Sequence, residues 1–254
     1  QLKIPDLLLA EAAGGRPGST FGNPTFLAGY LLFHILLAFY FLIESSKKFF
    51  EVFFLCLSLG LSLGALFLTQ TRGDILGLFV SALALLVFFS LRPPQIPVRF
   101  FARRAPYIAA LLAVILFSAI FYATRSSSAW DRVPGIGRFR NISFESQDLL
   151  PRFIALRAAA RGILERPVFG WGWENFNIVF NKYYDPRALV VSYQETRFDK
   201  PHNALVEYFV AGGVLAGVAY LAFLGTLLYE AQRLRDRLFG QVIIAGTLGY
   251  FVRN

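Results

Sequence analysis

The chain has 254 residues, of which 56% are hydrophobic, 17% aromatic and only 16% charged, with a mean hydropathy of +0.53. A water-soluble domain carries nearer a quarter of its residues charged, so a soluble globular class is excluded and a membrane protein indicated. The formal net charge is +9, and membrane lipids, with no nucleic acid, are the expected surroundings; the single cysteine, Cys56, excludes a disulfide or metal framework and is expected to serve packing.

About 20 apolar residues cross a hydrocarbon core. Stretches 25–43, 49–69, 75–91, 105–123 and 204–229 meet that length, and 239–252 begins a sixth that stops short. The chain opens on Gln1, holds no methionine and ends inside an apolar run. It is therefore expected to be a piece of a longer protein, the true N-terminus and any leader lying elsewhere. The reading is of one membrane domain, all-α, a polytopic transmembrane helical bundle with one large outer loop, 124–203. That loop is expected to carry an amphipathic surface helix.

Orientation follows from basic residues in short loops. Lys47 and Lys48, then Arg92, Arg99, Arg103 and Arg104, then Arg233, Arg235 and Arg237 fall in alternate connections. Those connections are assigned to the cytoplasm. The turn Gln70–Asp74 and the loop 124–203 then share the extracytoplasmic face, long loops being translocated largely regardless of charge.

Taken in chain order, the first polar residue within a span is His34, read as a hydrogen-bonding residue between helices. Arg72 follows in Thr69-Gln70-Thr71-Arg72-Gly73-Asp74, a turn with almost no loop. It reads either as an interfacial arginine paired with Asp74 or as a phosphate ligand, its planar fork matching phosphate oxygens. In the loop, Ser126–Asn141 is irregular, rich in Ser, Gly, Pro and Arg. Pro151-Arg152-Phe153 then opens a helical pattern that runs to Glu165. Phe153, Leu156, Ala160 and Ile163 form its apolar stripe, while Arg157, Arg161 and Glu165 form a charged row with Glu165 as the acidic partner. Such a helix is expected to lie on the membrane surface. Pro167 ends it, and Pro167-Val168-Phe169-Gly170-Trp171-Gly172-Trp173 supplies a glycine turn with interfacial tryptophans. Four arginines within 152–166 suit anionic headgroups or an anionic ligand.

Asp185, Glu195 and Asp199 are scattered, with no metal-binding spacing and no phosphate-cradling glycine loop, so neither metal nor nucleotide is expected. The loop closes on Phe198-Asp199-Lys200-Pro201-His202-Asn203. His202 stands where the polar loop meets an apolar helix, able to exchange a proton near neutral pH beside lipid.

Together these residues form a pattern: Gly22-Asn23-Pro24 entering a span, Thr71-Arg72-Gly73 at a tight turn, Arg152 opening a loop helix, Arg166-Pro167 through Gly170-Trp171-Gly172, and Pro201-His202-Asn203 with Gly212-Gly213 downstream. The pattern resembles the O-antigen ligase family of membrane glycosyltransferases, which includes O-antigen polymerases and protein O-oligosaccharyltransferases. The resemblance covers nearly the whole chain, as the C-terminal part of such a protein. Arg197 departs from it, standing where an aromatic residue is expected before Phe198.

The resemblance implies glycan transfer from a polyprenyl-diphosphate carrier to an acceptor hydroxyl, at the outer face of the cytoplasmic (inner) membrane, with no cofactor or metal. It implies Arg72 and Arg152 as ligands of the lipid diphosphate, Arg161 as a less favoured alternative to Arg152, and His202 as the group that orients or deprotonates the acceptor, with Asn203 beside it at the substrate. The acceptor, whether lipid, glycan or protein, has no signature in the chain. Two other readings stand beside the enzyme: a transporter or flippase of an anionic substrate, and a non-catalytic binder of lipid-linked glycan. Clustering of the singled-out residues at one surface, rather than along a path, favours the enzyme.

Overall fold

Twenty-residue apolar runs fold as helices because hydrocarbon offers no partner for a backbone N–H or C=O. The structure, a computed structural model, describes residues 11–12, 16–44, 48–94, 102–133, 139, 150–187, 198–234 and 237–253. Expectations for Lys47, Arg99, Glu195, Arg197, Arg235 and most of the irregular stretch after Val133 fall outside these residues. The architecture is all-α, a polytopic helical bundle, with one two-residue antiparallel pairing of Glu11–Ala12 against Arg16–Pro17.

Among the described residues, five helices are by length and composition apolar enough to span: α1 (Pro24–Glu44), α2 (Phe49–Leu68), α3 (Arg72–Leu91), α4 (Ala105–Thr124) and α7 (Ala204–Arg233). Between the last two lie α5 (Leu150–Glu165) and α6 (Phe176–Lys182), and α8 (Arg237–Arg253) follows. At about 1.5 Å per residue, α1 to α4 are each close to the 30 Å of a hydrocarbon core. Their outward surfaces are apolar, as a lipid solvent requires: Phe49 is 75% exposed and Phe54 62%. Cys56 belongs to that exposed face of α2, a correction to its expected packing role.

The chain divides into two compact units. The first holds α1 to α4 and α8. Helix α1 starts where local chemistry dictates, with Asn23 Oδ1 accepting from the Thr25 N–H at 2.8 Å and Pro24 at the first helical position. Its His34 meets Ser58 of α2, Nε2 to Oγ at 2.9 Å, which is the interhelical role expected of it.

Helices α3 and α8 pack through small residues. Gly77 approaches the Gly249 backbone, and Ser81 Oγ donates to the Gly77 and Ala245 carbonyls at 2.9 and 2.8 Å. Without a hydrophobic drive between helices in lipid, such close backbone approach is what holds them. At one end of this seam the Asp74 carboxylate, 1% exposed, lies 3.0 Å from Arg253 Nε, while Arg253 Nη2 donates to the Thr25 carbonyl at 3.4 Å. One of the two readings of Arg72 paired it with Asp74; the partner of Asp74 is Arg253, brought from the far end of the chain. Asp74→Leu or Arg253→Leu alone strands a buried charge and should cost about 3–5 kcal/mol, whereas the double replacement should recover most of it. Thermal unfolding of the purified protein in detergent measures this; additive losses in the double variant would refute the coupling.

The second unit holds α5, α6 and most of α7. The buried face of α5 is Ile154, Ala155, Ala158, Ala159 and Gly162, packed with Phe176, Val179 and Phe180 of α6, and with Phe198 and Val210. The expected stripe is therefore rotated: Phe153 is 65% exposed, and the small side chains face the core because they let α6 come close. The charged row is also re-paired. Glu165 accepts from Lys182 Nζ and Tyr183 Oη, which hold its carboxyl below the usual range, and Arg161 lies 5.8 Å over the Tyr183 ring.

Candidate functional site

Arg72 opens α3. Before it, Thr69 Oγ1 donates to the Leu66 carbonyl at 2.6 Å and Gln70 takes a left-handed φ of 52°, which reverses the chain between two spans in three residues. Arg72 itself is half-buried. Arg152 stands in the first turn of α5 and is exposed, as is Arg161 further along. Both Arg72 and Arg152 thus sit where a helix dipole disfavours a cation and where unsatisfied N–H groups welcome an anion. Arg72 belongs to the first unit; Arg152, Arg161, His202 and Asn203 belong to the second.

The turn bearing His202 is built by its neighbours. Phe198 is buried, its ring 4.8 Å from Phe180, and Pro201 is fully buried. Asn203 caps α7: its Oδ1 accepts from the Val206 N–H at 3.1 Å and its carbonyl accepts from the Glu207 N–H at 2.9 Å. Held between a buried proline and a helix cap, His202 adopts a φ of 54°, a conformation uncommon for a residue with a Cβ, and its ring is exposed with Phe198 at its edge, 5.6 Å away. The local fold thus commits the Asn203 side-chain oxygen to the cap and presents the histidine.

A second device supports this unit. Helix α7 was expected as one continuous span, but Gly213 interrupts it with φ 65° and ψ −161°. The two segments fold back on each other: Tyr208 stacks on Tyr220 with centroids 4.1 Å apart, whereas a straight helix would separate them by about 18 Å. Carbonyls released at the break are taken by the glycine turn. Trp171 N–H donates to Val210 O at 2.9 Å, Gly172 N–H to Ala211 O at 2.8 Å, and Val214 N–H returns to Pro167 O at 2.7 Å. The turn is locked from its own side by Trp171 Nε1 donating to Gly162 O at 2.9 Å and by the Arg166 guanidinium 4.0 Å over the indole. Trp171 is therefore a structural pin, more than an interfacial anchor.

The charged neighbours of the His202 turn were not singled out in the sequence. Lys200 Nζ lies 3.4 Å from Glu174 Oε1 and 3.6 Å from Glu207 Oε1. The Glu207 charge first, then Glu174, raises the Lys200 ammonium above its ordinary value. Asp185 is bound by Arg187 Nη2 at 2.6 Å, which pulls its carboxyl down to about 2. The glycine pair at 212–213, inside an otherwise apolar helix, was the one local signal of the break. Charge partners distant in sequence left none.

The family model described as O-Antigen ligase matches residues 57–221, about two thirds of the chain. That span includes Arg72, Arg152, Arg161, His202 and Asn203. No curated protein matches the chain.

Proposed function

This chain belongs to the O-antigen ligase family, a multi-pass membrane protein of ligase or glycosyltransferase type, and we propose that it moves a glycan from a polyprenyl-diphosphate carrier to an acceptor hydroxyl. The observation that carries the reading is an exposed histidine, set in a left-handed turn by buried Pro201 and the Asn203 cap, in a chain of this family. Partners are the lipid-linked glycan, a lipid, glycan or protein acceptor, and membrane lipids. The basic residues of the alternate connections support an active face on the outer side of the cytoplasmic membrane.

In the proposed reaction the acceptor oxygen attacks the anomeric carbon of the first sugar. The bond from that carbon to the diphosphate oxygen breaks, its electron pair leaves with the diphosphate, and the acceptor proton passes to His202. Charge grows on the leaving diphosphate. Arg72 and Arg152, each beside the N–H groups of a helix start, supply positive charge where it develops, so the step is proposed without a metal. Arg161, drawn toward Tyr183, is the weaker candidate for that role, and Asn203 acts mainly by holding the turn.

Arg72→Ala should lower transfer about 10²–10³-fold and weaken donor binding, and Arg72→Lys should recover only part because the planar fork is lost. Transfer and binding measured with a purified polyprenyl-diphosphate glycan test this; an Arg72→Ala protein with normal donor affinity would refute the assignment.

The transporter reading draws on the broken α7, since discontinuous helices commonly form ion and substrate sites. Here the Val210 and Ala211 carbonyls are already occupied by loop amides. The break serves to dock a loop, which favours the enzyme.

A further inference from the structure

Trp173 is 54% exposed, although it follows a turn whose other indole is pinned inside. Its ring meets Tyr208 at 5.1 Å and 86°, and Tyr208 stacks on Tyr220, so three aromatic rings run in a row. An open groove of about 330 Å³ continues it, lined by Tyr208, Ala216, Ala219, Tyr220 and Phe223. The residue after Trp173 is Glu174, and the one before Tyr208 is Glu207; Lys200 bridges these two carboxylates, two residues along the chain from His202.

Interfacial anchoring would account for one exposed tryptophan. It would not account for two carboxylates and an ammonium brought together on residues that include the chain neighbours of Trp173 and Tyr208, with Glu174 73% exposed and held at a left-handed φ of 60°. A pyranose has the matching chemistry. One face is a sheet of C–H groups that lies on an aromatic ring, while its rim of hydroxyls both donates and accepts. Carboxylates take the hydroxyl protons and an ammonium donates to the oxygens. Phosphate is disfavoured, because two glutamates against one lysine leave the group net negative.

We propose that Trp173, Glu174, Lys200 and Glu207 form a pyranose-binding subsite, which holds one sugar of the glycan with its C–H face on the indole and its hydroxyls on the charged triad. The inference rests on the glycan-transfer reading and adds to it the place where sugar, rather than diphosphate, is recognised.

Isothermal titration calorimetry on the purified protein tests it with two probes: the donor glycan freed from its carrier by mild acid, and core oligosaccharide freed from lipopolysaccharide. Saturable binding of either is expected, and the one that binds identifies the sugar as donor or acceptor. Trp173→Ala should weaken it about tenfold, Trp173→Phe should restore most of the loss, and Glu174→Gln should cost about threefold to tenfold. Polyprenyl diphosphate without sugar should bind the Trp173→Ala protein as it binds the wild type, which also shows that the variant is folded. The proposal falls if neither oligosaccharide binds, or if Trp173→Ala binds it unchanged. Oligosaccharide binding in a protein that never transfers glycan would leave the subsite standing and remove the transfer reading.

Discussion

Replacing His202 by alanine is expected to cut glycan transfer about 10²–10⁴-fold while leaving the affinity for the polyprenyl-diphosphate donor within about twofold. The size follows from what the side chain would do: an unactivated hydroxyl is a poor nucleophile, and a positioned base removes its proton as the bond to the sugar forms. Selectivity for the chemical step follows from placement. His202 is exposed on a turn whose stability rests on buried Pro201, on Phe198 against Phe180, and on the Asn203 cap. Removing the imidazole takes from these only its edge contact with Phe198, and histidine's advantage over alanine at a left-handed φ of 54° is small beside a loss of this size. His202→Gln should fail nearly as completely, since an amide can orient a hydroxyl but cannot take its proton. Single-turnover transfer, with donor binding measured separately, decides the matter. If His202→Ala transfers at the wild-type rate, the base lies elsewhere.

Gly213→Ala should be the most damaging single-atom change in the second unit. Its φ of 65° and ψ of −161° fall in a region that is essentially open to glycine alone, and an added Cβ would overlap the Val168 carbonyl and the Phe169 nitrogen. Strain contributes about 1–3 kcal/mol and the overlap adds to it, so a loss of about 3 kcal/mol or more is expected. Relief of either requires the turn 167–172 to leave the break, which gives up the amide bonds to Val210 and Ala211. The variant should therefore melt lower and become open to protease within 166–173. Gly225→Ala is the control: it lies in the same helix with open space around it, and should be neutral or slightly stabilising. A Gly213→Ala protein that melts with the wild type and keeps its protease resistance would show that the break is incidental.

The spans, the start of α1 at Asn23-Pro24 and the helix that opens at Ala204 are all legible in the chain. Each is a local decision, set by the length of an apolar run, a capping side chain or a proline without an N–H. The helix over 150–165 was legible for the same reason, yet its buried face was not. A period of 3.6 identifies a helix, but alanines and glycines weigh little beside Phe153, and the partner α6 selected the face that let it approach. The continuous reading of α7 failed because hydropathy does not register a backbone angle.

For the candidate site, the chain by itself determined the residue types and their order: arginines in the first turns of two helices, a histidine before a helix cap, and a membrane setting for all of them. These follow from local sequence, because helix starts and caps are formed within four residues. Tertiary structure decided who pairs with whom. Asp74 went to Arg253 rather than to its neighbour Arg72, Glu165 to Lys182 rather than to Arg161, and the glycine turn to the carbonyls freed at Gly213. A buried or released polar group takes whichever partner the packing brings within about 3 Å, and that distance is set by the fold, not by separation along the chain.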